Sequence, residues 1–219
     1  MVKWSFSSLK DFTTCARQYN EVRVKKNFVK QEHISATTGK AVHVALESFA
    51  NNPGQDVDPA IERYTKFLRP LLEIPGQKFT ELRLGLDANR CVLGFEDEAC
   101  WVRGIIDLLI LQDETAYIID YKTGNDKYAD LRQLKLMALL TFGHFPEVAT
   151  CKVGLLFLNK NNFIPDEYHR DKINFMWQSF EPDLKRLEYA FQSDKWIPNP
   201  SGLCRKHCPV TTCEFHGRR

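Results

Sequence analysis

Two apolar stretches in the middle of the chain each carry one carboxylate. They lie in GIIDLLILQDETAYIIDYKTG, residues 104–124, with Asp107 in the first and Asp120 in the second. A buried strand excludes ionised groups unless they are paired or bind metal. Strand alternation puts Asp120 and Lys122 on one face and Tyr121 on the other. An acid on a neighbouring strand can reach the same face, so two carboxylates and an ammonium can converge at a hairpin end. Phosphodiester hydrolysis needs such a set. Oxygen ligands hold a hard cation such as Mg²⁺, which polarises the phosphate and helps generate hydroxide. A lysine can orient the water and stabilise the developing charge.

The (D/E)-x-K triplet is a weak signal by itself. About two are expected by chance in a chain of this composition, and the sequence has two. Asp183-Leu184-Lys185 follows Pro182 inside a predicted helix and reads as a surface charge pair. Only the triplet at 120–122 ends a strongly apolar strand next to another acid-bearing strand. The segment GKAVHVALESF adds His43 and Glu47, four residues apart on one helical face. Glu81, Gly104, Asp107, Asp120, Lys122 and Gln133 follow downstream.

Cysteines supply a second candidate centre. Cys15 lies in the first predicted helix, while Cys204, Cys208 and Cys213 crowd a tail rich in Pro, Gly and basic residues. Cys91, Cys100 and Cys151 sit in predicted strands and read as buried, inert thiols. The N-terminus, MVKWSFSSLKDF, lacks the apolar core of a secretory signal. An intracellular protein is therefore expected, and in that reducing setting a close cysteine group favours metal over disulfides. Four thiolates suit zinc or a [4Fe–4S] cluster, and zinc would also accept three with His207. One such centre would staple the two ends of the chain together.

The elements that must hold these groups are legible in outline. A helix capped at Ser7 or Ser8 is predicted to run to about Lys26, a second to start near Thr38, and a third at Asp58-Pro59. Strands are expected at Phe79–Asp87, Arg90–Phe95, Cys100–Leu111 and Ala116–Lys122. A helix at Ala129–Phe142, a strand at Lys152–Leu158 and a long helix at Asp171–Ser193 complete the order. That order implies an α/β fold, a mixed central sheet flanked by helices. The 219 residues suffice for one domain with a small appendage. No run of eighteen apolar residues exists, so no membrane span is expected. Net charge is only +2, but Arg17, Arg23, Lys25, Lys26 and Lys30 crowd one end, and Arg205, Lys206, Arg218 and Arg219 the other. Brought together, these ends would form a phosphate-attracting patch.

The chain resembles the PD-(D/E)xK nuclease superfamily, in its RecB-type branch. The likeness is carried by Ser5-Phe-Ser-Ser-Leu through Cys15-Ala-Arg-Gln-Tyr19, Gly39 through Glu47, Gly104 through Gly124, and Gln133-Leu-Lys-Leu. It implies a restriction-endonuclease-like core spanning 1–219, with 1–30 and 196–219 as a cluster-bearing terminal subdomain. It implies that His43, Asp107, Asp120 and the Tyr121 carbonyl ligate Mg²⁺ or Mn²⁺; Glu81, on the strand before the Asp107 hairpin, reads as either an additional ligand or a holder of the water. Lys122 would be the catalytic lysine, and Gln133 would lie near the substrate. Met137 stands where the family often has a tyrosine. A subgroup, including CRISPR-adaptation nucleases and phage recombination exonucleases, has one upstream and three downstream cysteines on a [4Fe–4S] cluster. Its common downstream spacing is C-x2-C-x5-C. Here it is C-x3-C-x4-C, with His207 at the usual place of the middle cysteine, which keeps zinc as an alternative.

The implied activity is a metal-dependent deoxyribonuclease, an exonuclease before an endonuclease, in recombination, repair or replication. Its partners would be DNA and a recombination or replication protein, and a homo-oligomer is compatible. The location would be the cytoplasm, or the host cytoplasm if phage-encoded. The competing readings are a CRISPR-adaptation component and a non-catalytic nucleic-acid-binding module that keeps the fold. No Walker A sequence is present, so the chain has no P-loop motor of its own.

Overall fold

The structure is a computed structural model that describes residues 1–30, 34–54, 56–59 and 61–218. The chain divides into two compact units. One joins Met1–Glu32 to Gln178–Arg219, and the other is His33–Trp177.

In the first unit, α1 (Phe6–Thr14) begins at a capping box in which Ser5 and Ser8 exchange bonds. The predicted single helix to Lys26 is interrupted at Cys15, whose backbone is extended. A short α2 (Ala16–Tyr19) and a π-helical turn, Asn20–Val24, follow. The interruption takes the Cys15 side chain out of the helical stripe formed by Leu9 and Phe12. Four of the five cations of the expected N-terminal basic patch have acidic partners. Asp11 takes Arg23 at 2.6 Å and Lys30 at 2.7 Å, and Glu21 takes Arg17 at 3.8 Å and Lys25 at 3.7 Å. Arg219 lies outside the described residues.

The second unit opens with α3 (Ile34–Asn51) and α4 (Glu62–Leu72). Asp58 does not cap α4. Its carbonyl instead accepts from Ile61 in a preceding turn. Among the described residues, six strands form one sheet, in the order β2-β1-β3-β4-β5-β6. They are β1 (Gln77–Leu86), β2 (Val92–Leu93), β3 (Val102–Gln112), β4 (Thr115–Lys122), β5 (Thr150–Phe157) and β6 (Asn162–His169). Only the β4–β5 pair is parallel. Its connection carries α5 (Arg132–His144), as a parallel crossover requires. α6 (Ile173–Gln178) closes the series, α7 (Glu181–Ser193) returns to the first unit, and α8 (Leu203–Lys206) lies in its tail.

Three expectations change here. The strand at 90–95 shrinks to Val92–Leu93, and Cys91 is exposed rather than buried. β6 was not anticipated. It is a half-exposed edge strand containing Pro165, a residue that edges tolerate because one side needs no ladder donor. The long helix at 171–193 is two helices, because Pro182 must sit in a first turn and so starts α7 afresh.

Helices cover both faces of the sheet. Val42, Leu46 and Phe49 of α3, with Ile61, Tyr64 and Leu68, form one core cluster with Leu108, Ile110, Ile119 and Tyr121. α5 packs on the opposite face, where Leu140 abuts Gly104 and Gly143 admits Leu86. These contacts reveal an inversion. Thr80 bonds Asn51 of α3 and its register partner Leu108 also faces α3, yet the even-numbered pair Leu84 and Gly104 faces α5. Strict alternation would keep them on one face. The switch falls at Glu81 and Asp107, the rung missing between Thr80↔Leu108 and Leu82↔Ile106, and Glu81 takes a left-handed φ of 46°. For a residue with a Cβ that conformation is strained, and such strain gathers at functional positions.

Candidate metal centre

The sheet register aligns three acids. Glu81 of β1 and Asp107 of β3 share the inverted rung, and Asp120 of β4 comes next, one step past the Leu108↔Ile119 pair. Beyond that pair β3 and β4 part, and the Asp107 carboxylate fills the gap. Its Oδ2 accepts the Tyr121 backbone N–H at 2.6 Å. Its Oδ1 lies 3.4 Å from His43 Nδ1 on α3. His43, Glu81 and Asp107 each offer a ligand atom within 4.8 Å of the others. Two carboxylates and an imidazole at such separations fit Mg²⁺ or Mn²⁺, the nitrogen favouring Mn²⁺.

A second constellation sits beside the first. Asp120 Oδ2 pairs with Lys122 Nζ at 2.6 Å, and Asp120 Oδ1 accepts Gln133 Nε2 at 2.6 Å. Lys122 Nζ also donates to Gln133 Oε1 at 2.9 Å. Both ends of the Gln133 amide are therefore committed, and the three side chains close a triangle on the α5 face. Tyr121 points the other way, into the α3 and α4 cluster, with its ring edge-on to His43 at 5.8 Å.

The electrostatics are those of a crowded acidic pocket. Burial pushes Asp120 up to about 6, with Lys122 opposing and Asp107 reinforcing the shift. Burial and the charges of Asp107 and Glu47 raise Glu81. Burial pulls His43 down, but its bond to Asp107 and the surrounding carboxylates outweigh that and leave it raised. Each group thus holds its proton longer than usual in the metal-free protein. A bound cation would displace those protons.

One supporting network had no signal in the sequence. Asn159, after β5, donates from Nδ2 to the Thr123 carbonyl at 2.7 Å and accepts from Tyr64 Oη at 2.6 Å; Arg63 also bonds to Tyr64. It fixes the residue that follows Lys122. A Cβ on Gly39 would lie 2.8 Å from Thr123 Oγ1, so the glycine lets that same residue approach α3. Gly39 stands out in the sequence beside His43, but nothing there foretells Asn159.

In the first unit, Cys15, Cys204, Cys208 and Cys213 line one small recess with Pro198, Asn199 and Val210. Burial raises the Cys208 thiol, and charge on the other three would raise it further. Among the described residues, the group of three ligand atoms within 4.8 Å is the His43 set, so the sulfurs are not drawn into so tight a group. Cys15 Sγ accepts from the Asn199 backbone N–H at 3.5 Å.

No curated protein matches the sequence. Among solved structures, a candidate exonuclease from Eubacterium rectale superposes with a TM-score of 0.55 at 11% identity, over 95% of this chain and 88% of its own. At that identity the likeness is one of fold. SSO0001 covers 81% of this chain and 74% of its own at 15% identity, and its TM-score of 0.40 carries no weight. The sequence model of the PD-(D/E)XK nuclease superfamily matches residues 3–213, through both acid-bearing strands and all four recess cysteines. The chain belongs to the PD-(D/E)XK nuclease superfamily.

Proposed function

We propose that the chain is a divalent-metal-dependent DNA exonuclease of the RecB type, acting in recombination, repair or replication. The observation that carries this reading is the placing of two groups on neighbouring strands of one sheet: the His43–Glu81–Asp107 set and the Asp120–Lys122–Gln133 triangle. His43, Glu81, Asp107, Asp120 and the Tyr121 carbonyl would hold Mg²⁺ or Mn²⁺. When bound, the cation supplies Lewis-acid polarisation of the scissile phosphate. Lys122 brings an ammonium to the site, where it orients the attacking water and offsets charge building on the phosphate. Gln133 holds Lys122 and Asp120 in register, and Asp107 is aimed by the Tyr121 N–H. The fold of the Eubacterium rectale neighbour is consistent with an exonuclease.

The test is a time course on end-labelled single- and double-stranded DNA with Mg²⁺ or Mn²⁺. Progressive release of nucleotides from an end is expected. Asp120→Ala and Lys122→Ala should each lower the rate by about a hundredfold or more, with an unchanged circular dichroism spectrum. Full activity in both variants would sink the assignment. No release by the wild type with any divalent cation would instead leave a nucleic-acid-binding module on the nuclease fold.

The four recess cysteines are proposed as ligands of a [4Fe–4S] cluster that defines a terminal subdomain. The support is that the four thiols line one recess of the first unit, as a single four-thiolate centre requires. Anaerobically purified protein is expected to be brown, with four irons per chain. Colourless protein with one zinc would overturn the choice.

A further inference from the structure

The first unit carries a feature that neither metal centre uses. An open groove of about 630 Å³ is lined by residues of α7, by Lys195 and residues 197–199, and by Phe12, Thr13 and Ala16. Ligand sites span roughly 300–1,000 Å³. Lys185, Arg186 and Tyr189 fall on one stripe of α7 by their spacing. Lys195 lines the same groove. The lining holds three cations and no acid.

The groove is built rather than incidental. Asp194 ends α7 with a φ of 52° and turns the chain back along the helix. Trp196 is then driven inward, with its ring 4.9 Å from Phe191 and 6.0 Å from Tyr19, and its Nε1 bonds Asp194 at 2.7 Å. Alternation along this extended segment turns Lys195 and Ile197 outward, and Ile197 is 72% exposed. Asn199 fixes the far end by donating to the Thr14 carbonyl at 3.0 Å. Tyr189 presents its ring with 57% exposure. Lys185 pairs with Glu181 at 3.4 Å and Arg186 with the half-buried Asp183 at 3.5 Å, and the Arg186 guanidinium also lies 6.0 Å over the Phe12 ring. Helical i,i+3 and i,i+4 pairs of this kind contribute little.

We propose that this groove binds a single strand of nucleic acid, with Lys185, Arg186 and Lys195 on the phosphates and a base stacked on Tyr189. The inference rests on the reading of the chain as a nuclease and extends it to a strand-holding site on the unit that does not carry the His43–Glu81–Asp107 set. Cations tracking a backbone beside an exposed ring are how proteins hold single strands without reading sequence.

The test is fluorescence anisotropy with a labelled oligothymidylate, in buffer free of divalent cations and at several salt concentrations. Replacing Lys185, Arg186 and Lys195 together by Ala should weaken binding and make the log–log salt slope shallower by about 2, at about 0.7 per lost contact. Tyr189→Ala should raise Kd about five- to a hundredfold, the range of one lost base stack. Tyr189→Phe, which keeps the ring, should stay near wild type. An oligomer of abasic sites should bind more weakly and be insensitive to Tyr189→Ala. Wild-type affinity and slope in the triple variant and in Tyr189→Ala would overturn the proposal, as would failure of the wild type to bind the strand. No cleavage enters this measurement. A protein that binds in the expected way but never cuts would therefore refute the nuclease reading and leave the groove standing.

Discussion

Asp120 is the residue where burial and chemistry conflict most. It is almost wholly enclosed, yet it must ionise to serve a cation. In the metal-free fold it keeps its proton up to about 6, whereas an unfolded aspartate releases it near ~3.9. The folded state therefore binds more protons between those values, and stability falls as pH rises through them. We expect the Tm of Asp120→Asn relative to wild type, in the absence of divalent metal, to be higher at about pH 8 than at about pH 5. Thermal melts in EDTA measure it, and an equal difference at both pH values would show that burial does not set the Asp120 titration. Much at this scale was legible beforehand. An acid inside an apolar run demands a partner, so Asp107 and Asp120 were visible at once. Glu81 was harder, because only the register places it on the rung of Asp107. Cys91 misled, since the two-residue β2 leaves it at a turn instead of in a covered strand.

At the scale of elements, the site depends on where regularity is broken. β1 and β3 exchange faces at Glu81 and Asp107, and β3 leaves β4 just where Asp107 meets the Tyr121 N–H. Apolar runs signal strands, but no one-dimensional pattern records an inversion that two neighbours make together. The same limit explains β6, whose polar alternation and proline resemble a loop until β5 pairs with it. Close approach is the other requirement. Gly39→Ala would press a methyl against Thr123 Oγ1, and overpacking of this kind typically costs about 1–3 kcal/mol. We expect that variant to lose both stability and cleavage rate, and Thr123→Ala in the same chain to restore most of both. Denaturant melts and initial rates together check it; loss without rescue would place the defect elsewhere on α3.

At the scale of the whole molecule, residues from distant parts of the sequence share one unit and line one cysteine recess in it. Among the described residues no helix is long and apolar enough to cross a membrane, and the core lies under the two faces of the sheet. Replacing Cys15, Cys204, Cys208 or Cys213 by Ser should make Gln178–Arg219 more open to proteolysis, whereas Cys91→Ser, at an exposed position, should not. Limited digestion followed by mass spectrometry reads this directly, and equal digestion of all five variants would argue against a shared role. The discontinuity of that unit also sets an order of assembly. His33–Trp177 is one continuous stretch and can fold while the ribosome is still working. The first unit cannot be completed until the segment that begins at Gln178 has been made. Cys15 is therefore an early-made thiol, and any centre that takes all four thiols closes only once Cys213 has emerged.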